Sequence, residues 1–344
     1  MIIGIIFISF ILLFILPFIP TFVEIIRKAD TDPLYIPMSY IRNPRYFAES
    51  FKHILGQATN GFTLGQGMHN VKLSKEESLE IRPSININDA TGINHLILVQ
   101  GDLVSGRGVK INKEAYITGD VSIGPDNLIQ ALFAEGRVNL AQGVRFWRWL
   151  DAKDDIFTAE DCNLGISATS IKKIHLGENC VFRRLFGQPI TTGNSKINFE
   201  NIIDTTCPNE QLFIAQMDFV RKKDDSVPPK TVENENVVFT KDVQIGHGSI
   251  FRGNLKGYGR IVLEEDVTVN GNILADGDII IGRNAVISGN IFSQASIYIS
   301  EGALISRPHK IKSIIAKKAV HIENDVTIYG YVATEGKGTT GRER

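Results

Sequence analysis

Three consecutive stretches, GNLKGYGRIVLEEDVTVN from Gly253, GNILADGDIIIGRNAVIS from Gly271 and GNIFSQASIYISEGALIS from Gly289, align without gaps at a period of 18 residues. A repeat of that length constrains the chain to grow by stacking units along an axis, because one unit is too short to bury a core of its own. Within each unit, apolar or small residues occupy positions 3, 5, 9, 11, 15 and 17. Alternation by two is the strand period, so each third of a unit reads as one short strand with two inward side chains, and three strands complete a coil.

The columns carry the physics, since equivalent residues of successive coils in a parallel sheet lie about 4.8 Å apart and rest on their own kind. Position 3 reads Val237, Leu255, Ile273, Ile291, Ile314 and Val332; position 11 reads Ile245, Leu263, Ile281, Ile299 and Ile322; position 17 reads Phe251, Val269, Ile287, Ile305 and Ile328. Position 5 stays small after Phe239, with Gly257, Ala275, Ser293 and Ala316. The unit at Lys312 joins the series once residues 307–311 are set aside as a corner loop. Ile328 then falls in a terminal coil, where Ile328→Lys is expected to abolish assembly or folding.

Upstream, Ile85, Leu103 and Val121 take position 3, with Val109 and Ile111 in the middle strand. A second series places Leu132, Leu150 and Ala168 at position 3, Val138, Ile156 and Ile174 at position 9, and Val144, Cys162 and Cys180 at position 15. Between the two the phase slips by seven residues, which predicts a shortened or distorted coil there. The chain therefore divides into a first β-helix block at 81–190, a loop or linker at 191–234 containing KKDDSVPPK, a second block at 235–334, and a polar, disordered tail at 335–344. The blocks either stack into one rod or lie side by side.

Residues 2–19 carry no charge and are nearly all Ile, Leu and Phe, which predicts a transmembrane anchor within residues 1–26. No basic n-region or small-residue cleavage site accompanies it, as a signal peptide requires. Arg27, Lys28, Arg42 and Arg45 follow the span, which places the rest of the chain in the cytoplasm, single-pass at the inner membrane. Three cysteines, Cys162, Cys180 and Cys207, suit a reducing compartment. In the juxtamembrane segment 27–80, a helix starting near Pro44 either meets the headgroups or caps the following domain with Phe47, Phe51 and Leu55 on one face. A net charge of -1 and a pI near 6.7 give no global attraction for nucleic acid.

An all-β, triangular β-helix of 18 residues per coil with GNI or GDL openings and an N-terminal membrane segment resembles the bactofilin family of polymer-forming bacterial cytoskeletal proteins. The resemblance covers roughly residues 83–334 and is strongest over 253–306. It implies right-handed winding, end-to-end self-association without nucleotide, membrane attachment and the scaffolding of cell-envelope proteins. The chain's length and its division near 190–234 depart from a one-rod member. Hexapeptide-repeat acyltransferases share the 18-residue coil, and Ile245-Gly246 with Ser249 and Ile281-Gly282 with Ala285 satisfy their hexad locally, so periodicity alone leaves the handedness open. A capped monomeric adaptor is a further alternative.

Such an acyltransferase needs a histidine base, and His247 in QIGHGSIF is the best candidate; at a corner, with no carboxylate evident at repeat spacing, it reads as solvated. His53, His69, His95, His175, His309 and His321 show no metal-ligand spacing. Cys162 and Cys180 stack as two small buried thiols. Alternation sends Phe146 inward and both Trp147 and Trp149 outward, beside Arg145 and Arg148, as a contact surface for protein, lipid or the juxtamembrane segment, or as packing beneath a loop. Asp151, Asp154, Asp155, Glu160 and Asp161 read as one solvated edge, and no phosphate-binding glycine loop occurs. The expectation is a non-enzyme with no catalytic residue, cofactor, metal or small-molecule substrate.

Overall fold

Strands of two or three residues cannot stand alone, so the repeat becomes structure only by stacking. Leu255–Gly257, Ile261–Leu263 and Thr268–Val269 form one turn, and each pairs in parallel with a strand of the next: Leu255 with Ile273, Leu263 with Ile281, Val269 with Ile287. Ile273 and Ile291 are vertical neighbours, both wholly buried. The structure, a computed structural model, describes residues 43–59, 69–74, 77–193, 219–222 and 226–341. Over these the chain is a parallel β-solenoid of about 13 turns with 18-residue spacing and three strands per turn. The expected anchor at 1–26 lies outside the described residues, among which no helix is long and apolar enough to cross a membrane. The solenoid belongs wholly to the compact unit Arg45–Arg344.

Two corner devices explain the polar part of the repeat. At position 14 the backbone turns left-handed in every coil of the second block, with φ of 59° at Lys230, 67° at Gly248, 58° at Asp266, 54° at Asn284, 76° at Gly302 and 58° at Asp325. Gly, Asn and Asp tolerate that conformation best, hence their recurrence. At position 1 successive backbones nearly touch: a Cβ on Gly271 would lie 2.2 Å from the Gly253 carbonyl oxygen. The following asparagines form a ladder in which each Oδ1 accepts both the backbone N–H and the side-chain Nδ2 of the next coil, at 2.8 to 3.0 Å from Asn236 through Asn254 and Asn272 to Asn290. In the first block aspartates do half of this: Asp102 accepts the Asp120 N–H at 2.8 Å, and Asp120 accepts that of Arg137 at 2.7 Å.

The expected seven-residue slip is a relabelling. Val121 stacks directly on Val138, which stacks on Ile156, so the column is unbroken and one turn is a single residue short. Because the three faces of a coil look alike in apolar pattern, a one-third rotation of about six residues is invisible to the sequence, and a one-residue deletion makes seven. The insertion at 307–311 does close as a corner, with Lys310 N–H donating to the Arg307 carbonyl at 3.1 Å.

Described parts of the expected linker and tail are strand. Phe219–Lys222, Ser226–Val227 and Val232–Glu233 make an outer turn of the second block, stacked on Asn236–Phe239, Val243–Ile245 and Ile250–Phe251. The expected tail is the end of strand Thr327–Thr340, and only residues 342–344 lie outside the described part. That strand pairs antiparallel with Val181–Thr192, the last strand of the first block, so the two blocks join end to end with opposite polarity. Leu185 faces Val332 and Ile190 faces Ile328, all four buried. Ile328 is thus internal to the joined stack and not at a free end.

Candidate functional site

Among the described residues, the first block is covered outside as well as filled inside. Leu79, Leu98, Phe133 and Trp149 point away from the prism yet are buried, because helix α1 (Tyr46–Thr59) lies across them with Ala48 and Leu55 nearly inaccessible and Phe51 partly buried. These three recur at i, i+3 and i+7, one face of a helix. Phe51 meets Trp149 edge to face at 6.0 Å. The capping arrangement therefore holds, with Ala48 in the place expected for Phe47, which is 48% exposed.

Two polar anchors fasten α1. Arg45 makes a bidentate ion pair with buried Asp151, donating through Nε at 3.0 Å, while the Thr169 hydroxyl donates to the same carboxylate. Burial pushes the Asp151 carboxyl up, and Arg45 and Thr169 only partly offset it. Nearby, Lys52, Lys153 and Tyr116 converge on Glu135, with the Tyr116 hydroxyl donating at 2.7 Å and Lys153 at 2.9 Å. Burial works against the Glu135 charge, but these donors outweigh it and hold its pKa at about 2. Asp151 is therefore no part of a solvated edge. Asp154 pairs with Lys172 at 2.9 Å, and Asp155 and Asp161 hold the corners through the Lys173 N–H and Gln142.

The tryptophans part company. A register shift between Phe146 and Trp149 sets two residues against the single Gln130, so Phe146 is buried inside, Trp149 is 7% exposed under α1, and Trp147 is 66% exposed. Only Trp147 stands at a surface. It lines an open groove of about 690 Å³ that also takes in Arg145, Asn163, Ile166 and Arg183 from the first block and Lys337 from the second. The groove crosses the junction, and no local pattern around Lys337 signals that it would reach this far.

Cys162 and Cys180 occupy one buried inward column, their thiols donating to the carbonyls of Ala141 and Ala159, each at 3.3 Å. The neighbouring Cys180 thiol, together with burial, pushes the Cys162 thiol up. Cys207 lies outside the described residues. His247 is half exposed at its corner; a carboxylate does stand nearby, Asp266 at 3.6 Å, but the pair lies open to solvent on a convex corner and lines neither described groove. His175 and His321 bond to Thr191 at 2.9 Å and Thr339 at 2.8 Å, which ties them to the sheet. Among the described residues no cluster of His, Cys, Asp or Glu could hold a metal ion.

The outer ends carry charges in interior columns. Glu80 stacks beneath Ile97 and is bound by Arg82 and His95, and the strand His69–Lys72 overlays this end antiparallel on one face. At the other end Glu233 lies beneath Phe251 and Val227 beneath Ile245, and among the described residues no strand pairs with the outer side of this turn. No family model, curated protein or solved structure matches the chain, so the reading of its function rests on this geometry.

Proposed function

We propose that this chain is a membrane-attached β-solenoid scaffold, similar to the bactofilins, that self-associates through its outer coil ends and organises cell-envelope proteins on the cytoplasmic side of the inner membrane. The supporting observation is the junction of Val181–Thr192 with Thr327–Thr340, in which two coil ends of this architecture join through main-chain hydrogen bonds and matched aliphatic columns. Unpaired edges are what a solenoid offers at its ends. With both C-terminal ends occupied by each other, association falls to the outer turns, principally the one at Phe219–Lys222, Ser226–Val227 and Val232–Glu233. The apolar run at 2–19 supplies the attachment.

Sedimentation and negative-stain imaging of the full chain in detergent test this reading. Concentration-dependent assembly that is lost in Val227→Lys supports it; a monomer at all concentrations overturns it. The capped adaptor is the second reading, favoured by Glu80 and Glu233 in interior columns of the two outermost turns, and the monomer result selects it. Acyl transfer at His247 is the third reading; acyl-CoA turnover that disappears in His247→Ala would select it.

A further inference from the structure

The groove beside the Phe146 bulge gathers cations with no anion to answer them. Among the described residues no carboxylate lines it, and Arg145, Arg183 and Lys337 make no ion pair there, whereas the adjacent Arg148 is matched by Glu114 at 2.7 Å. Between the cations stand two apolar side chains in solvent, Trp147 at 66% and Ile166 at 43% exposure. Two residues along the chain, Trp149 carries α1, whose outer side turns Phe47 and Ile54 to solvent at 48% and 59%.

An indole and an aliphatic tip framed by guanidinium and ammonium groups match a phospholipid headgroup layer: the apolar tips enter the acyl boundary and the cations meet phosphates. An acidic protein would also answer the charges. Lipid is favoured because an uncharged apolar run lies upstream, and the stretch from residue 26 to Arg45 reaches at most about 65 Å when extended, which keeps any bilayer holding that run within reach of the groove. We propose that the Trp147 groove is a second membrane contact, in which Arg145, Arg183 and Lys337 hold anionic phospholipid headgroups and lay the joined blocks against the bilayer. This rests on the membrane-attached reading above and extends it by naming the ligand. Because Lys337 comes from the second block, the contact is complete only when the junction is closed.

The chain has 2 tryptophans, so full-length Trp149→Phe leaves Trp147 as sole reporter. In vesicles of phosphatidylcholine with about one-third phosphatidylglycerol and brominated acyl chains, its emission is expected to shift to the blue and fall roughly two-fold, with both effects fading in about 0.5 M NaCl. Arg145→Glu with Arg183→Glu should abolish the quenching while the protein still floats with the vesicles. Wild-type protein compared with Trp147→Phe gives the same readout if Trp149→Phe folds poorly. Equal quenching in pure phosphatidylcholine, or no quenching in protein that floats, overturns the groove and leaves the anchor standing. Quenched protein that floats only with anionic vesicles upholds the groove and overturns the anchor. Failure to float with any vesicle overturns both, and a blue shift with poly-L-glutamate but none with vesicles overturns the lipid assignment in favour of an acidic protein.

Discussion

Leu185 lies opposite Val332 in an antiparallel ladder, although the turn-to-turn pairs that continue from them, Ala168 with Leu185 and Ile314 with Val332, are parallel. The reversal is held by main-chain bonds, Asn179 N–H to the Thr340 carbonyl and Thr340 N–H to the Cys180 carbonyl, each at 3.0 Å. The Thr340 hydroxyl adds a bond to the Gly177 carbonyl at 2.7 Å. Each block thus satisfies the otherwise open edge of the other.

Breaking that ladder should uncouple the blocks. Ile328→Lys puts an unpaired ammonium opposite Ile190 in a dry column, a change costing roughly 3 kcal/mol or more. Calorimetry is expected to show one unfolding transition in the wild type and two in the variant; a single unchanged transition would count against the junction.

Gly271→Ala tests the close approach of successive turns. The added Cβ meets the Gly253 carbonyl oxygen at 2.2 Å, backbone that cannot swing aside, so a loss of about 2 kcal/mol or more is expected from denaturant unfolding. Gly56→Ala on α1, where nothing lies within 4 Å, serves as the control and should not destabilise.

The asparagine ladder makes a graded prediction. Asn272→Ala removes the donor to Asn254 and the acceptor for both Asn290 groups, costing about 2 to 4 kcal/mol, whereas Asn272→Asp keeps the acceptor but sets an oxygen against the Asn254 Oδ1, and should cost less than Asn272→Ala once that carboxyl is protonated. Protonating that aspartate restores a donor, so the gap between Asp and wild type should narrow below about pH 4. Equal losses in the two variants at that pH would refute the ladder's role.

Asp151→Ala removes the carboxylate that Arg45 and Thr169 share and is expected to cost about 3 to 5 kcal/mol, while Arg45→Met combined with Asp151→Leu should cost less than the sum of the two single losses. A double-mutant cycle on thermal unfolding settles it; additive losses would mean that the pair is not coupled.

Acid should release α1. Glu135 has its folded pKa held at about 2, below its ordinary 4.5, so its contribution is present above pH 4.5 and is lost as pH falls toward 2. Asp151 acts in the opposite sense: its raised pKa means that its contribution declines as pH rises through that value. In Trp147→Phe, emission from Trp149 should shift to the red across the acid window as the helix lifts, and Glu135→Gln should remove that pH dependence. Unchanged emission down to pH 2 would show that this network does not hold the helix.

The interior of the solenoid was legible because each aliphatic column repeats its own kind: the predicted stack of Leu255, Ile273 and Ile291 is the observed one. What misled was residues whose role is set by distant partners. Thr339 and Gly338 read as disordered tail, yet Gly338 is glycine because the Phe182 ring covers it, with a Cβ there only 2.2 Å from that ring. KKDD and the two prolines read as linker, though Lys222 pairs with Phe239 and Pro228 and Pro229 form a corner under Gly246. Trp149 read as exposed because α1, more than 80 residues upstream, is what covers it. Local composition reports solvent or core only where a residue's neighbours lie one repeat away.

The edge of Val181–Thr192 is closed by Thr327–Thr340, which is synthesised only after the rest of the second block. At about 5 to 20 residues per second, the nascent first block waits roughly 7 to 30 seconds with that edge bare while the intervening chain is made. During synthesis the middle of the finished rod is therefore its most vulnerable point, and a chain cut short before its final strand would present that adhesive edge to the rest of the cell.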